Sequence, residues 1–181
     1  MRLIVRLRRF ARAASGLAAL EFALLAPMML TLLFGSVETI DALGANRRVQ
    51  NVAASLADVV ARDNSVTDDE ITGLWAAIDL LMFPEGGTDV GVAISSISID
   101  EDLETEVVWS RANNEDYEPP EVTVPEGVLR AGTSVIVAQV TYRYNSPISF
   151  LIGDLGFDMS HTVYRRSRLV DPIPCEWDGC S

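Results

Sequence analysis

The sequence predicts an α+β fold, in which a single N-terminal transmembrane helix continues into an amphipathic helix and packs on a small antiparallel sheet of about four strands. Three observations predict this fold. An apolar run of 21 residues covers 17–37, a helical repeat of apolar residues follows it without a proline, and later segments alternate between apolar and polar residues. At 181 residues, the chain has room for the anchor and one modest globular domain.

The apolar run from Leu17 to Val37 is predicted to cross a membrane. Its 21 residues form a helix about 31 Å long, which matches the hydrocarbon core of a bilayer. A secretory signal peptide is the competing interpretation, but its apolar region is usually only about 7–15 residues long and has a cleavage site close behind it. Glu21 lies inside the run, where a carboxylate costs roughly 2.5–3.5 kcal/mol, so we expect this residue to have a function.

Charge is divided unequally along the chain, which contains 14 arginines and 26 acidic residues but no lysine. Residues 1–16 carry five arginines and no acid, whereas residues 17–181 carry a net charge of 9 − 26 = −17. The positive-inside rule therefore predicts a cytoplasmic leader at 1–16 and an outer domain at 64–181 on the other side of the membrane. Such an acidic domain argues against nucleic acid as a partner, because phosphate binding needs clustered basic side chains.

Two helical segments are predicted beyond the membrane. The long helix should continue to Arg62, because apolar residues recur with 4-3-4-3 spacing on one face. The residues of this face are Ala45, Val49, Val52, Leu56 and Val59. Thr67 and Glu70 then have the spacing of a capping box, which predicts a second helix that ends before Pro84. We expect the apolar face of the long helix to cover the sheet.

Four later segments are predicted to form the strands of that sheet. They are Val90–Ile99, Thr105–Arg111, Ser134–Tyr144 and Phe157–Arg168. The first two are joined by a short acidic turn and should form a hairpin. In the first segment the apolar positions change from even to odd numbers midway, which predicts a bulge near Ser95 and Ser96.

The sequence contains few residues that could act in catalysis. Its one histidine, His161, alternates with Met159 and Val163 on a predicted strand face, a position typical of a packed or edge residue. No glycine-rich phosphate loop and no nucleophile elbow occurs in the sequence. We therefore predict that the protein is not an enzyme and needs no cofactor.

The C-terminal cysteine pair, Cys175 and Cys180, is predicted to form a local disulfide if the domain lies outside the cytoplasm. Free thiols are the alternative. A structural metal site would need two further ligands, which the neighbouring sequence does not supply, so no metal is expected.

Residues 16–58, which read GLAALEFALLAPMMLTLLFGSVETIDALGANRRVQNVAASLAD, resemble the TadE/TadG-like proteins. These are minor pilins, or pseudopilins, of the Tad (Flp-type) pilus system in bacteria. The family pattern is a glycine, four residues, a glutamate with an aromatic residue, an apolar span that contains proline, and an amphipathic helix. Gly16, Glu21, Phe22 and Pro27 occupy the corresponding places in this chain.

The resemblance implies that a prepilin peptidase cuts between Gly16 and Leu17, so that Glu21 becomes the fifth residue of the mature chain. Glu21 would then pair with the new amino group of Leu17 on a neighbouring subunit during assembly; the other interpretation is a hydrated interfacial carboxylate. The implied location is the bacterial inner membrane, with a periplasmic domain that can be incorporated in a pilus.

The implied partners are the prepilin peptidase, other Tad pilus subunits, inner-membrane assembly components and the lipid bilayer. A second function remains open. In that alternative, the chain is a single-pass membrane protein whose outer domain binds secretion or adhesion components without joining a filament.

Overall fold

The computed structural model describes residues 15–147, 149, 153 and 156–177, and it has the predicted α+β architecture. The elements are α1 (Ser15–Val60), β1 (Val66–Thr67), α2 (Asp68–Leu81), β2 (Val90–Ile99), β3 (Thr105–Ala112), β4 (Thr133–Tyr144), β5 (Phe157–Arg166) and β6 (Cys175–Glu176). A four-stranded antiparallel sheet has the strand order β3-β2-β4-β5, and a second sheet consists of two very short parallel strands, β1 and β6.

The chain divides into two compact units between Asp41 and Ala42. The first unit contains the apolar part of α1. The second contains the rest of α1 together with α2 and all the strands. The C-terminal half of α1 belongs to the second unit because its apolar face is buried in that unit's core.

The buried face of α1 differs in one position from the predicted face. Ala45, Val49, Val52 and Leu56 are buried as expected, but Val59 is 53% exposed and Val60 is buried in its place. The physical reason is that a 4-3-4-3 pattern repeats every 3.5 residues, whereas a straight α-helix has 3.6 residues per turn. The pattern therefore drifts by about 20° per heptad, and after two heptads it no longer marks the buried side.

The capping box at the start of α2 is confirmed. The Thr67 backbone N–H donates to Glu70 Oε2 at 2.8 Å, and the Glu70 N–H donates to Thr67 Oγ1 at 3.3 Å. Because hydrogen bonds from the Thr67 backbone and hydroxyl favour the carboxylate form, the pKa of Glu70 is lower than its ordinary value. These bonds satisfy donors that would otherwise be unpaired at the helix start.

The sheet is buried on both faces, which explains the change of apolar positions in β2. Val92 and Ile94 face the core formed with α1 and α2, whereas Ile97 and Ile99 face a second cluster on the opposite side. That cluster also contains residues of β4 and of the segment that precedes it: Val122, Val124, Val128, Leu129, Val135 and Val137.

A bulge lies next to Ser96, as predicted, but its extra residue is on the neighbouring strand. β2 pairs with β4 in unbroken register from Val90↔Tyr142 to Ile99↔Thr133. The register shift occurs in the pairing with β3, where Ser96 is opposite Trp109 and Ile97 is opposite Val107, so the extra residue is Val108 of β3. The change of apolar positions in β2 therefore comes from the second core and not from a break in that strand.

Candidate functional site

The predicted leader-cleavage and assembly residues all lie on the first turns of α1. Gly16 begins this stretch, and a Cβ added to it would have no atom within 4 Å. Leu17 and Glu21 are four residues apart and therefore lie one turn above the other on the same face. Phe22 and Pro27 follow in the same uninterrupted helix, and both are exposed. The sequence motif is thus one continuous helical segment.

The apolar side chains of this part of α1 have no core to pack against. Every large apolar side chain between Leu17 and Phe34 is 46% to 75% exposed. Within the described residues, one helix is long and apolar enough to cross a membrane, and none of its most apolar window is buried. A surface of this size is far larger than the apolar patches of soluble monomers. We conclude that the helix anchors the protein in a membrane.

The hydroxyl groups in the apolar run and just after it also suit a lipid environment. Thr31 donates to the Pro27 carbonyl at 2.8 Å, Ser36 to the Leu33 carbonyl at 2.8 Å, and Thr39 to the Gly35 carbonyl at 2.7 Å. Each hydroxyl is therefore satisfied inside its own helix. This matters because hydrocarbon supplies no partner, and an unsatisfied polar group there costs several kcal/mol.

Glu21 differs from these hydroxyls. No hydrogen bond or ion pair reaches its carboxylate from any residue that the structure describes. It is exposed on the face that also carries Leu17. An ionised carboxylate is stable in an apolar setting only with a cation or hydrogen-bond donors, and the described part of this chain supplies neither to Glu21.

The remaining predicted residues lie in the second unit. Cys175 is half-buried in β6 and is not a free thiol, whereas Cys180 lies outside the described residues, so the disulfide stays a prediction. His161 is confirmed as a packed residue, because its Nε2 is 2.8 Å from Oδ1 of Asn46 and so joins β5 to α1. The described residues contain no cluster of His, Cys, Asp or Glu that could hold a metal ion.

Sequence reasoning missed how the C-terminal segment is attached. β6 pairs with β1 in parallel register, Val66↔Cys175 and Thr67↔Glu176. The ring of Trp177 then meets that of buried Trp109 edge-on at 5.4 Å. Two-residue strands are too short to show a periodic pattern, so no signal in the sequence could have identified this pairing.

Comparison with known proteins identifies the α1 segment. Residues 16–58 match the family model described as TadE-like protein, which covers 58 − 16 + 1 = 43 of the 181 residues. The match begins at Gly16 and extends through the buried half of α1 to Asp58. TadE-like proteins form a family of pilus assembly and not of enzymes. No curated protein and no solved structure matches the chain.

Proposed function

We propose, from the TadE-like match of residues 16–58, that this chain is a membrane-anchored minor pilin that acts in assembly of a Tad pilus. In this proposal, residues 1–16 are a cytoplasmic leader, residues 17–37 span the inner membrane, and residues 64–181 form the periplasmic domain. The observation that supports it best is that the match starts at Gly16 and continues along a helix whose apolar surface is unpaired in the single chain.

The first step in the proposed mechanism is removal of the leader by a prepilin peptidase between Gly16 and Leu17. Gly16 suits such a site because it has no side chain to obstruct a narrow peptidase pocket. Cleavage would expose an α-amino group at Leu17, four residues before Glu21. The processed helix would then present a cation and an anion near the same boundary of the membrane.

The second step is pairing of Glu21 with the Leu17 amino group of a neighbouring subunit. Inside one helix, residues four apart are neighbours, but assembly brings a second helix with its own charges alongside. This ion pair would offset the free-energy cost of an isolated carboxylate in an apolar environment when the helix moves from the lipid into the filament. The exposed apolar side chains around it would pack on those of adjacent helices, as in other helix assemblies within membranes.

The decisive experiment compares bulky substitutions at two glycines of the same helix. Gly16→Leu should block cleavage, because leucine does not fit a pocket selected for glycine. Gly35→Leu is the matched control. A Cβ at Gly35, as at Gly16, has no atom within 4 Å, so neither variant should disturb the chain itself. Intact-mass measurement of protein from membranes, with and without the peptidase, is the readout.

The expected result is a mature chain beginning at Leu17 in the wild type and in Gly35→Leu, and a full-length chain in Gly16→Leu. Wild-type protein that retains residues 1–16 in the presence of the peptidase would refute processing. It would favour the alternative function, a single-pass protein whose outer domain binds its partners without entering a filament.

A further inference from the structure

Three large apolar side chains are exposed at one end of the second unit. Leu43 of α1 is 55% exposed, Phe83 after α2 is 76% exposed, and Phe157 at the start of β5 is 48% exposed. We call Leu43, Phe83 and Phe157 the proximal rim. Each comes from a different element, so a single amphipathic helix does not account for them.

Phe83 lies beside the beginning of the second unit because α2 runs back along α1. The 14 residues of α2 extend about 21 Å, and the same distance back from Val60 along α1 reaches roughly residue 46. The ion pair between Arg48 and Glu85 agrees with this direction. The segment that carries Phe83 therefore ends next to the first residues of the unit.

Phe157 lies at the same end of the sheet. His161 of β5 contacts Asn46 of α1 at 2.8 Å, and Phe157 is four residues earlier in this strand. Its ring packs on Tyr144, with the ring centroids 5.3 Å apart, at the last residue of β4. Tyr142, two residues before Tyr144 in β4, pairs with Val90. Val90 is the first residue of β2 and follows the segment that carries Phe83.

Chain connectivity keeps this end close to the membrane. The apolar run ends at Val37 and the second unit begins at Ala42, so four residues lie between them and five residue steps join them. Even a fully extended chain of that length reaches only about 18 Å. The interfacial zone of a bilayer adds roughly 5–8 Å on each side of the hydrocarbon core. The start of the second unit, which carries Leu43 and lies next to the segment of Phe83, is thus within reach of the lipid headgroups.

We propose that the proximal rim inserts into the interfacial zone of the lipid bilayer and so holds the second unit against the membrane surface. Phenylalanine and leucine side chains are suited to this zone, since burial there removes their apolar area from water. Two ion pairs lie near the rim, Arg48 with Glu85 and Arg143 with Asp158 at 3.4 Å, and each pair partly offsets its own charges. The inference rests on the membrane anchor and does not depend on a role in a pilus.

The test uses the full chain reconstituted in phosphatidylcholine vesicles that contain lipid brominated near the headgroup end of its acyl chains. Phe83→Trp places a fluorescent reporter in the rim. Leu169→Trp is the matched control. It is 63% exposed, and the neighbouring Arg168 N–H donates to the Ala61 carbonyl at the opposite end of the α1 segment. In both variants, the wild-type tryptophan signal is subtracted.

The brominated lipid should reduce the added fluorescence of Phe83→Trp at least twofold and leave that of Leu169→Trp unchanged. Phe157→Trp should behave like Phe83→Trp, and it keeps the test decisive if one variant does not fold. Equal quenching of the tryptophans at positions 83 and 169 would overturn the proposal and would indicate that the rim binds a protein partner instead. Loss of pili in cells would not affect this result, because the vesicles contain no other pilus protein.

Discussion

The position of Val60 provides the sharpest test of how α1 packs. Valine-to-alanine substitution at Val60 and at Val59 makes the same chemical change at adjacent residues of one helix. The sequence pattern predicts that Val59 is the buried residue, whereas the structure exposes 53% of Val59 and only 2% of Val60. The two variants therefore distinguish the repeat in the sequence from the observed packing.

The expected costs follow from these exposures. Val60→Ala removes two buried methyl groups at about 0.8 kcal/mol each and leaves a small cavity, which together cost about 2–3 kcal/mol. Val59→Ala loses about half as much burial. In both variants the helix propensity of alanine, up to about 0.7 kcal/mol better than that of valine, offsets part of the cost. The free energy of unfolding should therefore fall by about 1.5–2.5 kcal/mol for Val60→Ala and by about 0–0.5 kcal/mol for Val59→Ala.

Urea unfolding of the full chain in mild detergent measures this difference. Trp75, Trp109 and Trp177 all lie in the second unit, so tryptophan fluorescence reports its unfolding and not that of the apolar helix. With a denaturant slope of about 1–3 kcal/mol/M, the midpoint for Val60→Ala should lie about 1 M below that for Val59→Ala. Equal midpoints, or a lower one for Val59→Ala, would refute the packing of α1 described here.

Three further predictions concern the site and the outer domain. Glu21→Gln should leave the protein abundant, cleaved and membrane-bound, but pili should be sparse. Removing one member of a buried ion pair costs about 3–5 kcal/mol, which is roughly two to three orders of magnitude in the association constant. Glu38→Gln is the control, and normal piliation of Glu21→Gln would contradict the mechanism. Thiol labelling should modify the C-terminal cysteine pair only after reduction, and its double alanine variant should lose about 1–3 kcal/mol; labelling of untreated protein would disprove the disulfide. The pKa of Glu70 is held below its ordinary value of 4.5 by Thr67, so this interaction stabilises the fold above that pH and is lost as pH falls through the lowered pKa. Thr67→Ala should raise the pKa of Glu70 toward its ordinary value in an NMR titration, and an unchanged value would show that the capping box is not its cause.

The sequence by itself determined the features that depend on neighbouring residues. The apolar run, the capping box of Thr67 and Glu70 and the hairpin of β2 and β3 could all be predicted, because each has a local pattern with a physical cause. The motif from Gly16 to Pro27 was identified by its resemblance to a known family. Its role in cleavage and assembly stays a prediction, because both depend on molecules other than this chain.

Tertiary structure decided what each pattern packs against. The alternation of apolar residues in β2 shows on which face of the sheet each residue lies. Only the complete fold shows that both faces are buried, the first by α1 and the second by the segment before β4. Val60 is buried in place of Val59 for a similar reason. The 3.5-residue repeat of the sequence drifts relative to the 3.6-residue turn of the helix, so packing against the core, and not the repeat, decides which valine is buried. The pairing of β1 with β6 and the contact of α1 with β5 join residues about 110 positions apart, from Val66 to Cys175 and from Asn46 to His161. Contacts at such separations are set by packing of the whole unit, and no local pattern in the sequence records them.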